Sequence, residues 1–215
     1  CDAPRFENLG IDTIGPTIMR HGTPEQHARF LPRMLSFDDF WAQAYSEPDA
    51  GSDLASLRTV ARRDGDSFVL SGTKIWQSYG HWANWALVLA RTDPAAPRKQ
   101  DGISVLLVDL ASPGVTVRPI RFMHGGVLHV QIFFDEVRVP AANLVGAENA
   151  GWSVAKGLLV IERLFVARVA ECRAELDTTR LMAAGRGAGG ASLLAQDVHA
   201  RRLAELDIRV RALEA

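Results

Sequence analysis

Between Tyr45 and Asp53 the chain has to turn. The segment is Tyr45-Ser46-Glu47-Pro48-Asp49-Ala50-Gly51-Ser52-Asp53. Pro48 has no backbone N–H and Gly51 is conformationally loose, so neither a regular helix nor a regular strand passes through its middle. The bend presents two small hydroxyls, Ser46 and Ser52, with nearby backbone N–H groups. That arrangement suits a polar ligand carrying phosphates or ring carbonyls. Further along, Gly72-Thr73-Lys74-Ile75-Trp76-Gln77-Ser78 places a flat aromatic and another hydroxyl at a strand end. Taken alone, each segment has a plainer reading: hydroxyls that cap a turn and a tryptophan in the core.

The length of 215 residues allows one large domain or two small ones. A formal net charge of -1 excludes the basic excess of a nucleic-acid surface. Hydrophobic residues make up 47%, yet no apolar run approaches the length of a membrane span. No signal peptide is visible. The two cysteines, Cys1 and Cys172, match no metal or redox spacing, so a disulfide is not expected and a reducing cytoplasm is the default. The chain begins at Cys1 rather than Met and stops inside an apparently helical pattern, which reads as a piece of a longer protein.

Residues 1–40 carry helix signals. Thr23-Pro24-Glu25-Gln26 is a helix start, with Thr as N-cap, Pro in the first turn and an acid at the positive dipole end. Phe30, Leu31 and Met34 continue a helical stripe, and Pro32 predicts that this helix is short or kinked. From 41 to 148 the period changes to that of strands. Asp64-Gly65-Asp66 is a hairpin signal before a short strand at Ser67–Gly72. Trp85–Ala90 and Ile103–Val108 are continuous apolar runs that suit strands buried on both faces. Val115–Arg118 and Val130–Phe134 add two more, which together suggest an antiparallel barrel or sandwich. Residues 149–215 return to helix, with Trp152, Ala155, Leu158, Glu162, Val166 and Val169 on one helical stripe. A flexible break follows at 185–190, and a second apolar-striped helix from about Ser192 carries Leu193, Leu194, Val198, Leu203, Leu206 and Leu213. The order helix end, β core, helices is α+β. His124 and His129 stand at no metal spacing with other ligands and read as loop or strand residues.

The two segments described first resemble the flavin-binding pair of the acyl-CoA dehydrogenase family. Phe133-Phe134-Asp135-Glu136-Val137-Arg138-Val139-Pro140 followed by Asn143-Leu144-Val145-Gly146 is similar to the family's segment leading out of its β domain. The resemblance runs over nearly the whole chain. It implies the end of an N-terminal helical domain (1–40), a central antiparallel, barrel-like β domain (41–148) and the start of a C-terminal helical bundle (149–215). It also implies FAD as cofactor, an acyl-CoA substrate, and an electron-transfer flavoprotein as electron acceptor. The implied assembly is a homo- or hetero-oligomer, and no metal is involved.

By the same resemblance, Gln43, Ala44, Tyr45 and Ser46 line the pyrimidine side of the flavin. Trp76, Gln77 and Ser78 cover its other side, and Gly51 and Ser52 face phosphates or the acyl-CoA arm. The reaction implied is abstraction of the α-proton by a carboxylate with transfer of the β-hydride to the flavin. In most of the family the carboxylate lies beyond Ala215. In members resembling isovaleryl-CoA and long-chain dehydrogenases it lies on the first helix after the β domain, just before an arginine, and Glu162-Arg163 falls there. Glu162 sits on an otherwise apolar stripe, where an acid is costly unless paired or functional. Its structural alternative is an ion pair with Arg163 or Arg168. Arg163 is the second substrate-side candidate. Asp49 stands where the family commonly has Gly. Trp41-Ala42-Gln43-Ala44-Tyr45-Ser46-Glu47-Pro48 looks closest to bacterial members acting on bulky or dicarboxylic acyl-CoAs, some of them two-subunit complexes. Rival readings are a flavin monooxygenase or oxidase on the same scaffold, and a non-catalytic partner subunit.

Overall fold

A computed structural model describes residues 8–185 and 191–214. Cys1 and most of the glycine-rich stretch at 185–190 lie outside them. The side chain of Val166 is likewise outside what is described. The chain divides into two compact units, one running to Glu162 and the other from Arg163.

The first unit opens with one π-helical turn, Gly10–Ile14, leading into α1 (Gly15–His21) and then α2 (Pro24–Leu35). A reciprocal capping box starts α2: Thr23 accepts from the Gln26 N–H, and the Gln26 side chain accepts from the Thr23 N–H. The Gln26 amide also donates to the carbonyls of Ala142 and Leu144, at 2.8 Å each, which ties the helix start to the segment at 141–145. Pro32 lies inside this 12-residue helix, three residues before its end and on the exposed side.

Eight strands follow: β1 (Trp41–Ala44), β2 (Val60–Asp64), β3 (Ser67–Ser78), β4 (Trp85–Arg91), β5 (Ile103–Asp109), β6 (Val115–Arg121), β7 (Val127–Pro140) and β8 (Leu144–Val145). They form one sheet in the order β6-β7-β3-β2-β4-β5-β8, with β1 also paired to β4. The α+β order of the sequence reading holds. Most pairs are antiparallel, but β1 runs parallel to β4 and so does the single β2 contact, Val60 opposite Arg91. The β2–β3 hairpin separates β1 from β4 in sequence, a connection long enough for the chain to return in the same direction. The β2–β3 turn itself is the two-residue one expected, with Gly65 at φ +62°.

The apolar runs of β4 and β5 are buried on both faces, as their composition predicts. Trp85, Leu87 and Leu89 of β4 pack with Ile14, Ile18, Phe30 and Met34 of the helices. Ala86, Val88 and Ala90, on the other face, share a second core with Phe68 and Leu70 of β3 and with Ile132, Phe134 and Val137 of β7. One sheet therefore curls so that its two halves enclose a core. Trp41 and Trp85 stack at 5.7 Å in register, and Phe30 meets both edge-on. Trp82 is not in this core: it is exposed and stacks on Tyr79.

After the sheet, α3 (Gly151–Ala167) packs Val154, Ala155 and Leu158 into the helix-side core. In the second unit, Arg168 adopts a left-handed conformation (φ +46°), which separates α3 from α4 (Val169–Ala184) where the sequence suggested one helix. Arg168 pairs with Glu171. A short 3-10 turn capped by Ser192 precedes α5 (Asp197–Glu214). Leu193, Leu194, Val198, Leu206 and Leu213, residues of the apolar stripe read from the sequence, are exposed. Among the described residues no helix is long and apolar enough to cross a membrane, and no cluster of metal-ligating side chains occurs.

Candidate functional site

The two motif segments meet. Beyond β1, the backbone of Glu47 and Ala50 exchanges both hydrogen bonds, at 3.0 and 3.1 Å, closing a tight turn over Pro48 and Asp49. This brings the Ser46 carbonyl within 2.9 Å of the Ile75 N–H in β3. A cleft of about 170 Å³ runs alongside, bordered by Glu47–Ala50 on one side and by Gly72 and Thr73 on the other.

Beneath the meeting point lies an ion pair that the sequence reading did not single out. Lys74 has no exposed surface. Its ammonium donates to Glu47 Oε1 at 2.8 Å and to the Tyr45 carbonyl at 2.9 Å. Glu47 in turn accepts the backbone N–H groups of Arg58 and Thr59, at 2.6 and 2.9 Å. Burial pushes the Lys74 ammonium down to about 8, against the opposing pull of Glu47. Burial alone would raise Glu47. The charge and hydrogen bond of Lys74, with the backbone donors, outweigh it and hold the carboxyl below its ordinary value. The sequence offered no signal for it, because a lysine in a strand reads the same whether it faces water or the core.

Trp76 is not a core residue. It is 55% exposed and sits at φ +72°, where a β-bulge interrupts the pairing of β3 with β7. A bulky side chain in that conformation is strained, and the strain turns the indole out of the sheet to offer a flat face. Its edge meets His129, which itself meets Phe122. The bulge nearer the start of β3 is possible only with Gly72 (φ +151°), because a Cβ there would lie 2.4 Å from Thr59 Oγ1. The strand therefore runs on through Gly72 instead of stopping there. Gln77 is buried and donates to the Ile75 carbonyl, and Ser78 is half-buried opposite His129.

Ser46 is half-buried and Ser52 exposed. A Cβ on Gly51 would meet nothing within 4 Å, so no packing inside this chain explains the glycine. Asp49 points outward toward Arg58 and away from the buried pair. Gln43 makes the connection that matters most for chemistry: its amide donates to Glu162 Oε2 at 3.1 Å, across 119 positions of sequence. Tyr45 is buried beside them. Burial, and next the Glu162 charge, push its phenol far above the ordinary value. Ala44 is buried in the inner core. Arg163 is exposed and belongs to the second unit.

Three buried polar atoms here have no protein partner: Gln43 Oε1, Gln77 Oε1 and Tyr45 Oη. Buried polar groups are ordinarily paired, so unpaired ones on the two motif segments, which also carry the exposed Trp76, suit a polar, flat ligand. The residues present fit a flavin.

Residues 42–137 match the model of the acyl-CoA dehydrogenase middle domain, and residues 149–215 that of the acyl-CoA dehydrogenase C-terminal domain. The chain is 46% identical over 163 residues to acyl-CoA dehydrogenase IpdE1 of Mycobacterium tuberculosis, covering 75% of this chain and 42% of that protein. Its fold superposes on the Tcur3481–Tcur3483 steroid acyl-CoA dehydrogenase G363A variant with a TM-score of 0.82 at 37% identity, covering 95% of this chain and 52% of that one. On the ChsE4–ChsE5 complex from Mycobacterium tuberculosis the TM-score is 0.77 at 38% identity, covering 96% and 53%. The chain spans about half the length, or less, of such relatives. With both domain models matched in order along it, the chain belongs to the acyl-CoA dehydrogenase family.

Proposed function

We propose that this chain is the cofactor-holding part of an FAD-dependent enzyme that forms a 2,3-double bond in an acyl-CoA thioester, with Glu162 as the base. The observation that carries the reading is the Gln43–Glu162 hydrogen bond. It brings a carboxylate from α3 to the strand leading into the first motif. Gln43, Ala44, Tyr45 and Ser46, with Trp76, Gln77 and Ser78, are the residues proposed to hold the cofactor. Gly51 and Ser52 are assigned to its phosphates or to the acyl-CoA arm, and Arg163 to the substrate. FAD, when bound, supplies the acceptor for the β-hydride.

The rest falls to the chain. Glu162 takes the α-proton onto its carboxylate, and the Gln43 amide keeps that carboxylate aimed. With the cofactor bound, Ser46 would donate a hydrogen bond toward the ring, favouring added negative charge there. The likeness to a steroid dehydrogenase and to a two-protein complex supports a bulky acyl group and a hetero-oligomer. An electron-transfer flavoprotein is the proposed electron acceptor.

The test is the visible spectrum of the full-length protein, without air, before and after a panel of acyl-CoAs that includes bulky ones. Bleaching of the flavin band names the substrate class. Glu162→Gln is expected to bind FAD normally and to lose about 10²–10⁴ in the bleaching rate. An unchanged rate in that variant places the base elsewhere. A yellow protein that no thioester bleaches points to other flavin chemistry, and a colourless one that cannot be reconstituted points to a partner subunit.

A further inference from the structure

We infer that the buried Lys74–Glu47 pair is a positioning clasp that fixes the first motif segment against the second, so that Ser46 and Trp76 face one bound cofactor. The inference rests on the FAD reading above and deepens it. Lys74 binds the residue before Ser46 through the Tyr45 carbonyl and the residue after it through the Glu47 carboxylate. Ser46 itself is bonded to Ile75, the neighbour of both Lys74 and Trp76. The three contacts leave Ser46 no freedom to slide along β3. The same carboxylate holds the N–H groups of Arg58 and Thr59, and Thr59 lies against Gly72 at the start of the second segment.

Stability alone does not account for charges at this place. An apolar pair of similar volume fills a core as well as a buried ion pair, or better, because neither ion has to be stripped of water. What the ions add is direction. An ammonium with two fixed acceptors and a carboxylate with three donors define one geometry, where apolar side chains accept many. That direction is needed here, because the indole of Trp76 is held in a backbone conformation it would otherwise leave.

The double variant Lys74→Met/Glu47→Gln of the full-length protein tests this, since it removes both charges together and leaves an amide oxygen for the backbone donors. It is expected to fold, judged by circular dichroism, and to bind FAD about tenfold more weakly or worse. At saturating FAD the flavin spectrum shifts, and turnover falls by about 10²-fold at unchanged KM, as for a misplaced reacting group. In the cofactor-free protein the Ile75 amide, bonded to Ser46, exchanges with solvent faster than in the wild type. Phe30→Leu, a core change outside the site, serves as the control that loses stability while keeping the wild-type spectrum. Should the double variant not fold, Glu47→Asp, which keeps both charges but shortens the reach to Lys74, carries the same readouts with smaller expected changes. Wild-type affinity, spectrum and Ile75 exchange in the variant overturn the clasp and leave the FAD reading standing. A wild-type protein that takes up no FAD overturns both.

Discussion

The two units of this chain are held together by different physics. In the first, apolar side chains fill two cores on either side of β4 and β5, and the buried Lys74–Glu47 pair is held by further hydrogen bonds to the backbone. In the second, Leu176, Ala183 and Val210 are the buried apolar side chains among the described residues. What joins α4 to α5 is charge. From α4, Arg173 bridges Asp207 and Glu214, at 2.7 and 2.8 Å, and Arg180 also reaches Asp207, which Arg211 pairs with inside α5. These partners hold the Asp207 carboxyl far below its usual range, Arg173 first among them. Paired charges near water contribute little and are screened by salt, whereas buried area contributes in proportion to its size. The first unit is therefore built to keep a site rigid. The second unit leaves apolar residues such as Leu181, Met182 and Ile208 facing outward.

Three changes sharpen or break that contrast. The largest effect is expected from Phe30→Ala, which removes the ring wedged between Trp41 and Trp85. It should cost about 3–5 kcal/mol in thermal or denaturant unfolding, with no dependence on salt. A loss below about 1 kcal/mol would mean the aromatic trio is loosely packed.

Next is acid. Glu47 is held below its ordinary carboxyl value in the folded protein, so the unfolded chain binds the extra proton first as pH falls. The stability it contributes is complete above about 4.5, its unfolded value, and is lost as pH drops through the lower folded value. A melting curve taken from neutral pH to 3 should fall less steeply for Glu47→Gln than for the wild type. Equal slopes would place the acid sensitivity in the Asp207 network instead.

The smallest effect is expected from Arg173→Ala. It should shift the melting temperature only slightly at low salt and not at all in about 1 M salt. A large, salt-independent loss would show that the second unit is held as the first one is.

Much of this architecture was legible in the residues. The continuous runs at 85–90 and 103–108 could be satisfied only by strands buried on both faces. Asp64-Gly65-Asp66 specified its hairpin, and Thr23-Pro24-Glu25-Gln26 its helix start. The site was legible as two motifs, but not as a geometry. Ser46 and Trp76 could be named, while their joining through Lys74 and Glu47 could not, because a charged residue in a strand looks the same in sequence whether it faces water or the core.

By itself, then, the sequence determined the local matters: strand and helix periods, caps, turns, and the motif pattern that marks the acyl-CoA dehydrogenase family. These follow from each residue and its near neighbours. The tertiary structure alone decided that β1 runs parallel to β4, that Trp76 is turned outward by a bulge, and that Glu162 comes to Gln43. Those depend on which distant segments share a core, and on a lysine and a glutamate leaving water together because only as a pair can they do so.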